Sequence, residues 1–160
     1  MLTTSQKQIV ATFIAANPVW AALPKNSDTA FFLAEELNKV DPSNFIVWRT
    51  SVPQDEITQN GFDWVQVDNL TVGKARIWDW LFSNSTRTIN PSKVNVRAGI
   101  TECWKGTAAL VAVATAVFVH CKRPATVVER LLATGTGTTA SPANMTYESP
   151  ISYQDVESVF

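Results

Sequence analysis

Apolar residues recur at helical intervals along most of this chain. Ile9, Val10, Phe13 and Ile14 share one helical face behind Thr3 or Thr4, either of which supplies an N-cap, and Asn17-Pro18 closes the segment. "VWAALPKN" reads as a loop or turn. Asn26 or Ser27 then caps a helix over "DTAFFLAEELNKV", with Phe32, Leu33, Leu37 and Val40 as its apolar stripe and Asp41-Pro42 as its stop. "NFIVWRT" carries strand character, or forms an extended link. "SVPQDEITQNG" predicts a brief helix capped by Ser51, with Pro53 early, Gln54 completing a capping box and Gly61 ending it.

The second half continues the pattern. Val72 to Phe82 is helical, with Ala75, Trp78, Leu81 and Phe82 on one face. Asn90-Pro91 reads as a cap with proline at the first helical position, opening a helix to Trp104. Gly106 interrupts before "TAALVAVATAVFV", the most apolar run. At 13 residues it falls short of the roughly 20 that a membrane span needs. It predicts a central, buried helix. Pro124 breaks the chain, Thr126 and Glu129 form a capping box for "TVVERLLAT", and Gly135 stops it. Beyond lies a different texture. Met145 and Tyr147, then Ile151 and Tyr153, alternate at spacing two, a strand signal punctuated by Pro142 and Pro150. The expected architecture is mainly α: a single bundle of about six helices over residues 1–135 around the apolar helix, with an extended C-terminal arm over 136–160.

Composition sharpens this. Charged residues make up 17% of the chain, below the usual share of about 25%, while 46% are apolar and six are Trp. So little charge fits a surface largely in contact with other chains. Net charge is -1 but segregated. Residues 26–70 hold eight acids and two bases (-6), residues 71–130 nine bases and three acids (+6), and the stretch from Thr134 onward three acids and no base (-3). Folding can mix these charges on one surface, or an acidic face of one copy can meet a basic face of the next, a heterologous contact able to close into a ring.

Candidate chemistry is sparse. The one histidine, His120, neighbours Cys121, but adjacent helical residues point about 100° apart, so the two do not form a nucleophile pair. His120 near a helix C-terminus suits the macrodipole. Cys103 and Cys121 lack any paired spacing and read as buried free thiols, as in a reducing compartment. One His and two separated Cys make no closed zinc site, and no cofactor is expected. "TGTGT" follows a helix rather than opening one, so it reads as a stop and hinge rather than a phosphate cradle. Glu35-Glu36 and Asp55-Glu56 are splayed surface carboxylates. The basic residues, Lys122 and Arg123 among them, are scattered rather than clustered, which leaves only weak contact with passing nucleic acid. Trp78 and Trp80 stand two apart and cannot share a helix face, so one points outward as a contact residue. Tyr147, Ile151, Tyr153, Val156, Val159 and Phe160 make the closing segment too apolar for idle disorder. Docking into a neighbouring chain is the expected use.

From about residue 44 onward, "FIVWRTSVPQDEI", "GFDWVQVDNLTVGKARIWDWLF", "NPSKVNVRAGITECWKGTAA", "CKRPATVVERLLATGTGT", "SPANM" and "SYQDV" together resemble tailed-phage and prophage virion proteins. The architecture is similar to that of the head-tail connector (adaptor) proteins. The resemblance implies a non-enzymatic structural protein of the virion neck at the portal vertex, assembled in the host cytoplasm without a membrane. It implies a homo-oligomeric, dodecameric ring that binds the portal protein and tail-completion or terminator proteins, with DNA only transiently in its lumen. The closing residues from Tyr147 to Phe160 would anchor it, and Trp78, Trp80, Lys122 and Arg123 would lie at subunit interfaces. Removing residues 140–160 should then leave the helical core folded. Two other expectations stand beside this one: a capsid decoration or other virion structural protein, and a small cytoplasmic phage-encoded enzyme or host-modulating factor.

Overall fold

In the computed structural model, which describes all 160 residues, short polar side chains decide where most helices begin. Thr3 accepts from the Gln6 N–H while the Gln6 side chain accepts from the Thr3 N–H at 2.9 Å, and this capping box opens α1 (Thr4–Ala16). Asn26 caps α3 (Ser27–Asn38), Thr71 caps α5 (Val72–Leu81) and Thr107 caps α7 (Ala108–His120). The expected Thr126–Glu129 capping box opens α8 (Val127–Leu132). Asn17 Oδ1 accepts from the N–H groups of Val19 and Trp20, which adds a turn, α2 (Pro18–Ala21), where a loop or turn was expected.

Elsewhere local chemistry moves the boundaries. Ser51 does not cap α4 (Gln54–Ile57). Val52 and Pro53 instead form β2 (Val52–Pro53), paired antiparallel with β3 (Thr88–Ile89), so Pro53 itself precedes the helix. Asn90 turns its carboxamide onto Ser92, accepting from both its N–H and its hydroxyl. This Asx turn delays α6 (Val94–Cys103) beyond Pro91. A 3-10 turn, Trp64–Val67, precedes α5. "NFIVWRT" does contain a strand, β1 (Ile46–Trp48), and its partner in a two-stranded sheet is β4 (Lys122–Pro124).

The chain is mainly α, but it divides into two compact units rather than one bundle carrying an arm. One unit comprises Met1–Val47 with Pro124–Phe160, and the other Trp48–Arg123. The charges divide with them. The first unit holds four bases and eight acids, net -4, and the second nine bases and six acids, net +3.

In the first unit, Val10 and Ile14 of α1 and Ala30, Leu33, Ala34 and Leu37 of α3 belong to one buried core, which α8 helps to join. Of the expected stripe, Leu33 and Leu37 are buried, whereas Phe32 and, beyond the helix, Val40 are exposed. The closing segment completes the core and is not an extended arm. It ends in α9 (Tyr153–Glu157), capped by Ser152, whose Oγ accepts from the Asp155 N–H. Ile151 (2% exposed) and Val156 (0%) are buried against α1 and α3. The Asn38 carboxamide locks the register: its Nδ2 donates to the Ile151 carbonyl at 2.9 Å and its Oδ1 accepts from the Ile151 N–H at 2.8 Å. Tyr153 stacks on Phe31 with ring centroids 4.0 Å apart, and Asp155 accepts from the Leu2 N–H. Farther back, Gly137 has φ +67, and a Cβ there would lie 2.1 Å from the Phe45 ring, so only glycine fits.

In the second unit the core is aromatic. Trp104 is fully buried, edge-on to Trp78 (centroids 5.2 Å apart, 79° between planes) and to Phe62 (5.4 Å, 87°), and Phe82 meets Trp78 at 5.0 Å. These edge-to-face geometries suit the ring quadrupoles. Ile57, Ile100, Val113 and Val117 close around them.

Because Ile151 fills the core of the first unit, Ile151→Ala is expected to cost about 2–5 kcal/mol in chemical denaturation. This reverses the expectation that removing residues 140–160 would leave a folded core. Three carboxylates add a pH dependence. Burial works to raise Asp41 and Asp155. Hydrogen bonds from Ser43 and Arg130 to the former, and from Ser152 and Leu2 to the latter, outweigh it and hold both below the ordinary value. Hydrogen bonding from Arg49, against a smaller opposing effect of burial, does the same for Glu56. A depressed folded pKa contributes stability that is present above the unfolded value and lost as pH falls through the folded one. Thermal melts should therefore hold from neutrality down to about pH 5 and drop progressively below about pH 4, where unfolded carboxylates protonate.

Candidate interaction surface

α7 carries no charged residue from Ala108 to Val119. One face, Leu110, Val113 and Val117, is buried in the aromatic unit, flanked by Ala114 and by Phe118, which meets Trp48 edge-on. The opposite face, Ala108, Val111, Ala112, Thr115 and Val119, is exposed, Val119 by 67%. The helix is therefore central to the core on one side only. The expectation of a fully buried helix is corrected, because a unit of this size covers only one side of α7. A helix apolar all round is ordinarily buried all round. Trp80 on α5 is 67% exposed and Trp64 62%, so exposed apolar surface on this unit is not confined to α7.

The C-terminal end of α7 is built around Arg49. Its guanidinium forks onto Glu56, with Nη2 donating to Oε2 at 3.0 Å and Nη1 to Oε1, and Nη1 also donates to the His120 carbonyl at 3.0 Å. A cation thus sits on the last carbonyls of the helix, where the macrodipole favours it. His120 Nε2 lies 3.4 Å from the Asn60 carbonyl oxygen. Trp48 has Arg97 at 4.8 Å and Lys122 at 5.3 Å from its ring centroid.

Both cysteines are free and buried, as expected. Burial, with the charge of Glu102, pushes the Cys103 thiol up to about 11, and burial pushes Cys121 up to about 12. Cys103 Sγ donates to the Lys74 carbonyl at 3.4 Å. Thiols of this kind stay protonated at neutral pH and make poor nucleophiles. No group of three or more His, Cys, Asp or Glu is placed to hold a metal ion, and no helix is long and apolar enough to cross a membrane.

On the first unit, α1 presents a matching feature. Ser5, Gln8, Ile9, Thr12, Phe13 and Ala16, with Leu131 of α8, line an open groove of about 480 Å³ that contains no charged side chain. Arg130 lies over the Phe13 ring at 5.9 Å and is itself paired with the buried Asp41.

The expected contact residues are distributed unevenly over these surfaces. Trp80 points outward, whereas Trp78, 6% exposed, belongs to the aromatic core and is removed from the interface set. Lys122 and Arg123 are half-buried on β4. Ile151 and Val156 are committed to their own core, while Tyr147, Tyr153, Val159 and Phe160 are half-buried against it. The outward face of α7 and the α1 groove were not anticipated. A signal for the first was present, since the run lacks charge on every face. Comparison with protein-family models, curated proteins and solved structures returns no match.

The raised thiols generate a prediction. In the native protein neither Cys103 nor Cys121 should react with a thiol reagent at pH 7.5 on the timescale of free cysteine, and both should react on unfolding. Fast labelling of either before unfolding would contradict their burial.

Proposed function

We propose that the chain is a structural protein of the tailed-phage neck, a head-tail connector that associates with copies of itself into a ring at the portal vertex and leaves a lumen for DNA. The observation that carries this reading is the uncharged outward face of α7. The fold needs one side of that helix, and the other presents valine and small residues to solvent. Covering such a face with another chain recovers about 25 cal/mol per Å² of apolar surface removed from water. Trp80 and Trp64 add large exposed aromatics of the kind that anchor protein contacts. The opposite net charges of the two units favour head-to-tail over face-to-face association, and head-to-tail contacts close into a ring where the rotation between copies closes.

The anchoring role expected of residues 147–160 is narrower in this reading. Ile151 and Val156 are occupied, so a portal contact falls to the half-buried Tyr147, Val159 and Phe160. Multivalency lets several weak contacts of this kind hold a joint.

Light scattering and negative-stain micrographs of the purified chain, alone and mixed with portal-bearing heads, test the proposal. The expected result is ring-shaped particles and about a dozen copies per virion, the number that the resemblance to connector proteins implies for a ring at one vertex. Hundreds of copies spread over the capsid would favour decoration instead. Absence from virions would overturn the structural reading.

A further inference from the structure

Two uncharged helical stripes remain without partners, one on each unit. On α7 the exposed positions Ala108, Ala112, Thr115 and Val119 follow the spacing i, i+4, i+7, i+11. On α1 the groove positions Ser5, Ile9, Thr12 and Ala16 follow the same spacing. Both helices are 13 residues long, about 20 Å at 1.5 Å per residue. One stripe is a ridge. Val111 and Val119 project beside the small Ala108, Ala112 and Thr115, which let another backbone come close. The other lines an open groove together with Gln8, Phe13 and Leu131, none of them charged. Ridges along i, i+4 rows packing into grooves is the ordinary way that helices meet.

We propose that the α7 ridge of one copy docks into the α1–α8 groove of a second copy, a heterologous contact that repeats from subunit to subunit. Three properties of the two surfaces identify the occupant. No residue lining the groove is charged, the neighbouring Arg130 is paired with Asp41, and α7 offers no charge before His120. The lengths and spacings of the two stripes match. The unit bearing the groove is net -4 and the unit bearing the ridge net +3, so the pairing that brings unlike units together is attractive, whereas ridge against ridge would join two basic units. The inference rests on the self-association proposed above and specifies its interface.

Two exposed substitutions test it: Ala112→Arg on the ridge and Ile9→Arg in the groove. Both side chains are at the surface, so circular dichroism and melting should match wild type. Each variant alone should associate at least about tenfold more weakly, because docking would bury an unpaired charge. Mixed, the two should form a one-to-one pair and stop there, since the mixture retains one intact ridge and one intact groove. Loss of assembly in Ala112→Arg with none in Ile9→Arg, or no pairing in the mixture, would overturn the ridge-in-groove contact while leaving ring formation standing. Wild-type protein that stays monomeric alone and with portal-bearing heads would overturn both.

Discussion

The carboxamide of Asn38 stands where the first unit closes on itself. α3 carries an apolar face that its own hydrogen bonds cannot protect, since a helix of its length is marginal in water without tertiary cover. Cover comes from α9 and α8, which follow more than eighty residues later, and α1 joins the same core. Asn38 offers Ile151 one donor and one acceptor, as the backbone of a neighbouring strand would, and so satisfies both main-chain groups of a residue whose side chain is fully committed to the core. That bond pair spans 113 residues of sequence. In sequence the second unit is therefore an insertion in the first, and the core of the first unit draws on both of its segments. The entropy of closing such a loop grows only slowly with its length, so an insertion of this size is tolerable.

Much of the helical architecture was legible because it is written locally. Thr3 with Gln6, Thr126 with Glu129, and the single threonines before α5 and α7 satisfy orphan N–H groups with side chains a few residues away, and such signals survive without tertiary information. The division into units was not legible, because the pattern of apolar residues does not say which stripes meet. The closing segment was misread for a related reason. Tyr147, Ile151 and Tyr153 alternate like a strand, yet Ser152 and Asp155 spell a helix start of the S-x-x-D kind, and the short helix wins because it sets Val156 beside Ile151 on the face of α3. Its apolar content was a true signal of burial, and the chain that buries Ile151 and Val156 is its own. Trp78 and Trp80 show the converse. Their spacing fixed that one must point outward, but only the position of Trp104 determines which.

α7 and α1 share a property that the fold does not require. Leu110, Val113 and Val117 commit one side of α7 to the aromatic core, just as Val10 and Ile14 commit one side of α1 to the core of the first unit. Lysine or glutamate at Ala112 or Thr12 would meet only solvent, would fit helical backbone, and would improve solubility at no cost in packing. In a chain with so few charges, leaving both stripes bare exposes apolar surface at two places instead of one. Folding stability does not explain that arrangement; in the proposed contact, a ridge without charge and a groove without charge, carried on units of opposite sign, would each remove the liability of the other. With ridge and groove on different units of one chain, each copy that docked in this way would leave one of each open, and growth would end only where the rotation between copies closes a ring.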